Sequence, residues 1–201
     1  MRSPAVAGAV LPGTRLDAAV ISSIPDRDDL VVVELGAGSG RFTSAVQRRL
    51  RGRGRHLAVA VDHSRAGGAG ARFPAFEAVT ADATRLPEIL LRRGLTHADV
   101  VVSDLPWATY GEAKQRSILT AVSAVLRPDG VFTALASLHA RPLPAARRFR
   151  RLLEATFHDV TVSRPLWSVM PPTEVYRAQT GSSCHTSMLQ TMNQMCEGDR
   201  S

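Results

Sequence analysis

Three acids and one glycine-rich turn carry the chemistry that can be read directly from this chain. Glu34-Leu35-Gly36-Ala37-Gly38-Ser39-Gly40 follows an apolar run. Glycines at Gly36, Gly38 and Gly40 let the backbone turn sharply and bring a ligand against the main chain. The spacing is G-x-G-x-G rather than the G-x-G-x-x-G of a dinucleotide site, and Glu34 stands two residues before the first glycine. A carboxylate there disfavours a pyrophosphate and favours a ligand with a cationic end. Asp62 closes a second apolar run, where an acid can accept both hydroxyls of a ribose. Asp82 closes a third, within reach of an adenine amino group. An amino-acid end, a ribose and an adenine without a phosphate describe S-adenosyl-L-methionine, which is the expected cofactor.

The acceptor side is expected at Ser103-Asp104-Leu105-Pro106-Trp107. An amine attacking a sulfonium-bound methyl must present its lone pair in line, so the protein mainly supplies position and electrostatics. Asp104 and the carbonyl of Leu105 can accept the amine hydrogens, and Pro106 stiffens the turn. Trp107 can stack on a planar base or hold an ammonium by cation–π attraction, worth about 0.5–2 kcal/mol. Asp104, Pro106 and Trp107 are therefore the candidate catalytic set, with Tyr110, His139 and Trp167 as weaker substrate-binding candidates. The bland alternative makes Asp104 a cap and Trp107 packing. No histidine or cysteine spacing fits a metal motif, so no metal is expected.

These residues need a scaffold, and the pattern of apolar runs supplies one. Leu30–Leu35, His56–Val61, Phe76–Thr80, Ala98–Ser103 and Val131–Leu138 read as strands, and Val160–Val162 and Glu174–Arg177 as two closing strands. Helical spacing appears over Phe42–Leu50, Pro87–Arg93, Ile118–Leu126 and Ala145–Phe157, with Pro128-Asp129-Gly130 expected to stop the third of these. Such alternation implies βαβ units and an α/β fold, a Rossmann-like seven-stranded sheet flanked by helices. Ligands then bind outside the carboxyl ends of the strands, which is where Gly36, Asp62, Asp82 and Asp104 fall. One catalytic domain is expected over residues 1–179. Residues 180–201 lose periodicity and are expected to be a polar, disordered tail, with Cys184 and Cys196 as free thiols.

The formal charge is +7, nearly all of it arginine, with Lys114 the sole lysine. A basic chain is drawn to nucleic acid or anionic lipid, and the charge does not choose between them. Arg147, Arg148, Arg150 and Arg151 read as a solvated helix face, with contact to an anionic membrane as the alternative. The N-terminus makes a poor signal peptide. A cytoplasmic protein is expected, with peripheral contact at a membrane as the alternative and no oligomeric state implied.

The ordered set also resembles a known family. VELGAGSG, VAVDHS, TADAT and VVSDLPW resemble the first four motifs of class I S-adenosylmethionine-dependent methyltransferases, and LRPDGVF the turn before their fifth strand. The resemblance places Ala83 and Ser103 beside the cofactor, with Glu34, the three glycines, Asp62 and Asp82. Two further stretches, GAVLPGTRLDAAV (Gly8–Val20) and RPLWSVMPPTEVYR (Arg164–Arg177), resemble the bacterial phospholipid N-methyltransferases. That likeness implies N-methylation of an amine, in a phospholipid headgroup or a small metabolite. Asp104-Leu105-Pro106-Trp107 is also similar to the signature of enzymes that methylate exocyclic amines of bases, including ribosomal RNA adenine methyltransferases, so RNA stands as an alternative acceptor. A non-catalytic, methyltransferase-like binding protein is the alternative from another class.

Overall fold

The computed structural model describes residues 15–37, 42–62 and 76–181. Gly38, Gly40, most of the Gly8–Val20 stretch and all but two residues of the expected tail lie outside these. In chain order the elements are α1 (Arg15–Ile21), β1 (Val31–Leu35), α2 (Thr43–Leu50), β2 (Arg55–Ala60), β3 (Phe76–Thr80), α3 (Leu86–Leu91) and β4 (Ala98–Ser103). They continue with α4 (Glu112–Val125), β5 (Leu126–Ser137), α5 (Pro144–Thr156), β6 (Asp159–Val162) and β7 (Thr173–Gln179).

The strands form one seven-stranded sheet in the order β3-β2-β1-β4-β5-β7-β6. β1 to β5 pair in parallel, and β7 runs antiparallel between β5 and β6. The central strands are buried on both faces, which is why they read as unbroken valine runs. Val32, Val100 and Val102 pack with Leu16, Val20, Phe42 and Val46 of the α1–α2 side. Val33, Leu35, Val101 and Phe132 pack with Ile118, Leu119, Phe149 and Leu153 of the opposite side. The strand order reverses between β1 and β4, so a crevice opens at their carboxyl ends.

One boundary departs from expectation. Pro128-Asp129-Gly130 does not stop a helix but forms a bulge inside β5, which already begins at Leu126. The helix has ended at Val125, since the residue before a proline avoids helical backbone and Leu126 is already extended. Asp129 takes φ 64°, and a Cβ on Gly130 would meet the Arg127 carbonyl oxygen at 2.8 Å. Among the described residues, no helix is long and apolar enough to cross a membrane.

Candidate active site

The glycine turn is built against the end of β4. Gly36 adopts φ +82°, and a Cβ there would lie 3.2 Å from the backbone carbon of Asp104. The backbone N–H of Asp104 donates to Leu35 O at 2.9 Å, and that of Gly36 to Val59 O at 2.9 Å. The end of β1 is thus wedged between β2 and β4, and only glycine fits the left-handed turn without displacing the β4 backbone. This is the switch point of the sheet, and Asp104 stands directly on it.

Glu34 lies beneath the turn and does not extend into it. By alternation along β1 its side chain shares the face of Val32, toward α2. There it is buried, accepting from Thr43 Oγ1 at 2.8 Å and lying 3.2 Å from His56 Nε2. Gln47 Nε2 is 2.9 Å from His56 Nδ1; an amide N–H donating there leaves the imidazole proton on Nε2, facing the carboxylate. The expectation that Glu34 waits for a cationic ligand end is corrected: it fastens α2 and β2 under the glycine turn.

Asp62 sits just past β2 and is exposed. Asp82 sits past β3, where Oδ1 accepts from Thr84 N at 2.9 Å and Thr84 Oγ1 at 2.8 Å, while Oδ2 pairs with Lys114. The Lys114 hydrogen bond, followed by that from the Thr84 backbone, lowers this carboxyl to about 2. Asp82 therefore caps the turn that begins with buried Ala83 and ties α4 to it. Both of its oxygens have partners within the chain, and the side chain remains partly exposed at the end of β3.

The acceptor segment divides sharply. Ser103 is fully buried and its Oγ accepts from Trp107 Nε1 at 3.1 Å. Trp107 is 3% exposed, stacks on Phe149 at 4.3 Å between ring centroids, and meets Phe132 and Tyr110 edge-on. Its carbonyl accepts from Gln115 Nε2 at 2.7 Å, and Gln115 Oε1 in turn accepts from Arg148 Nε at 3.0 Å. Trp107 also lines the cavity beside this segment, with Phe149 stacked on its ring and Ser103 holding its N–H. Pro106 leads into the short 3-10 turn Trp107–Thr109.

Beside this segment a cavity of about 510 Å³ opens, with Asp104, Leu105 and Pro106 on one wall. Leu135–Ser137 at the end of β5 and Ala146, Arg147, Phe149 and Arg150 of α5 form further walls. Thr173, Glu174 and Tyr176 of β7 and Arg141 complete it. The weaker candidates stand elsewhere. Tyr110 packs on the edge of Trp107, with its phenol pushed up by burial and by the Asp82 charge. His139 lies in the turn Leu138–Ala140 after β5 and is not part of the wall. Trp167 is 73% exposed on the β6–β7 loop. None of the three lines this cavity, and Tyr110 meets it only through its contact with Trp107.

Sequence reasoning missed Glu174, Tyr176 and Arg141. The signal was present: in TEVYRAQ, Glu174 falls on the same strand face as Tyr176 and Ala178. An acid on the core-facing side of a strand is rare unless it has a task. Tyr176 is buried, and burial together with the neighbouring Glu174 charge raises its phenol, which stays neutral at ordinary pH.

The comparisons with known proteins agree with this fold. The chain is 34% identical over 146 residues, 71% of its length and 74% of the relative's, to an ornithine lipid N-methyltransferase of Singulisphaera acidiphila. The chain belongs to the bacterial lipid N-methyltransferase family, within the class I S-adenosylmethionine-dependent methyltransferases. No family model matches it. Among solved structures, this methyltransferase is similar to a precorrin-6Y C5,15-methyltransferase from Geobacter metallireducens, with TM-score 0.65, 20% identity, and coverage of 87% of this chain and 93% of that one. It is also similar to the N-methyltransferase NodS of Bradyrhizobium japonicum, with TM-score 0.62, 13% identity, and coverage of 83% and 94%. At such identities the two structures establish the fold. The methyltransferase uses S-adenosyl-L-methionine, and the turn at Gly36, left-handed and with a Cβ position crowded at 3.2 Å, fits close approach of that cofactor to the main chain. Gly36 would hold it from β1 and Asp62 from the end of β2.

Proposed function

We propose that this methyltransferase N-methylates the amine of a lipid headgroup presented at a membrane surface. The observation that carries this is Asp104: it stands on the switch point, against the Gly36 turn, and forms part of the wall of the adjoining cavity. Bound S-adenosyl-L-methionine would supply an electrophilic methyl on a sulfonium sulfur able to leave with the electron pair of its S–C bond. Asp104 accepts the amine hydrogens, aims the lone pair across the Gly36 turn and takes up the proton the nitrogen sheds. Leu105, Pro106 and Phe149 exclude water from the approach. The relative's name, ornithine lipid N-methyltransferase, supports a lipid amine as the acceptor class.

Membrane contact is supported by the β6–β7 loop rather than by the arginine face of α5. Within α5, Arg148 is held by Gln115 and the Tyr110 carbonyl, and Arg150 by Glu154. On the loop, Trp167 and Met170 are 73% and 83% exposed, and Leu143, just before α5, is 46% exposed. Pro171 of the same loop lines the cavity. An exposed tryptophan on the loop that carries Pro171, with Arg164 three residues before it, suits the boundary between headgroups and acyl chains.

The direct test is incubation with label in the donor methyl and fractionated lipid, RNA and small-molecule extracts. Label in the lipid fraction is expected. Label in RNA, at steeply salt-dependent affinity, would replace the lipid by the nucleic-acid alternative. Donor binding with no labelled fraction would point to a non-catalytic protein.

A further inference from the structure

We propose that the cavity is a zwitterion site, in which Glu174 receives the acceptor amine and Arg141 the anionic group of the same headgroup. This rests on the lipid-amine reading above and specifies how such a headgroup is recognised.

Glu174 lies opposite Ala136 in the β5–β7 register, so the carboxylate stands over a small residue with open cavity beside it. Its side chain is 8% exposed. Among the described residues no hydrogen bond reaches it; the nearest cation is Arg141 Nη1 at 3.6 Å, beyond N–H···O bonding distance. Its oxygens are not sealed in but open onto the cavity, so a ligand with donors can take the place of water there, and they face the space where substrate must lie. Arg141 has the opposite character, with a side chain 64% exposed and free to swing. The other guanidiniums of the wall are engaged, Arg147 with the Pro142 carbonyl and Arg150 with Glu154.

A headgroup carrying both an ammonium and an anion can enter between the two. It converts one long ion pair into two charge-assisted hydrogen-bonded pairs, each shorter and stronger than the one it replaces. Glu174 anchors the headgroup nitrogen, Asp104 of the same cavity aims its lone pair and takes its proton, and the exposed arginine closes over the anion. A plain amine gains only half of this, and a purely anionic molecule is repelled by Glu174. The shared chemistry is an amine a few bonds from an anion. It is met by an amino-acid lipid through its carboxylate and by a phospholipid through its phosphate.

The test is steady-state kinetics with three short-chain acceptors: an amino-acid lipid, an aminophospholipid, and an alkylamine of equal length without an anion. Calorimetric binding of each without donor gives a readout independent of turnover. Arg141→Gln, at an exposed position, is expected to raise KM for the zwitterion used in the cell about tenfold and to leave the alkylamine unchanged. Which zwitterion suffers identifies the source. Glu174→Gln is expected to raise KM for every acceptor about tenfold or more with a smaller change in kcat, and Glu174→Asp to recover part of the loss. Wild-type methylation of lipid with KM unchanged in Arg141→Gln, or changed equally for the alkylamine, overturns the zwitterion site and leaves the lipid reading standing. A wild-type enzyme that methylates neither lipid overturns both.

Discussion

Two buried carboxylates sit at opposite ends of the same sheet, and their surroundings differ. At the amino ends of β1 and β4, Asp99 has a side chain 3% exposed. It accepts from Val31 N at 2.8 Å and from Arg127 Nη1 at 2.9 Å, and it also pairs with Arg27. Every direction from this acid is taken, and its partners join β1, the segment before it and the β5 bulge. At the carboxyl ends Glu174 is almost as deeply placed yet has one guanidinium at 3.6 Å and an open cavity in front. A saturated buried acid holds a fold together, while an unsaturated one beside a cavity is poised for a ligand. The sheet concentrates its stability at one end and its chemistry at the other.

The largest effect that would break this contrast is at Asp99. Asp99→Ala should destabilise the protein by about 3 kcal/mol in urea unfolding, because it leaves two guanidiniums and a backbone N–H unmatched. Activity per folded molecule should stay near wild type. Asp104→Ala should do the reverse, lowering kcat about a hundredfold with a melting temperature close to wild type by calorimetry. Equal loss of stability in the two variants would erase the distinction between the ends.

Much of this was legible in the sequence. The strands announce themselves as valine runs because both faces are buried, and the positions where those runs stop place Gly36, Asp62, Asp82 and Asp104 on one edge. What residue types do not reveal is which polar atoms are already satisfied. Glu34 looks like a ligand-facing group until Thr43 and His56 arrive from other elements to bury it. Glu174 escaped notice for a related reason. Its face is fixed by the antiparallel pairing of β7 with β5, a long-range register that the local pattern only hints at. Pro128-Asp129-Gly130 shows the same ambiguity, since a turn signal serves a bulge as well as a helix stop.

Two smaller effects sharpen the comparison further. Trp167→Ala should weaken co-sedimentation with anionic vesicles severalfold while leaving the melting temperature and turnover of a water-soluble amine unchanged. Unaltered vesicle binding would remove the β6–β7 loop from the membrane face. The smallest effect concerns Asp82, whose carboxyl is lowered from 3.8 to about 2, first by Lys114. Because the folded value is the lower one, the pair stabilises the protein above the ordinary carboxylate range and loses that contribution as pH falls toward about 2. Both groups are more than a third exposed or close to it, so solvent screening limits the contribution to under about 1 kcal/mol. Lys114→Met should flatten acid unfolding curves in that window, and an unchanged curve would show the pair to be without weight.

The central claim is that Asp104 aims an amine at the donor methyl, and one measurement addresses it most directly. A purified amine-headed lipid is turned over by wild type and by Asp104→Ala, and the new methyl is located by carbon NMR. The account predicts a methyl on nitrogen, with kcat reduced about a hundredfold in the variant and donor affinity unchanged. A methyl on oxygen or carbon, or equal turnover by the two proteins, would contradict it.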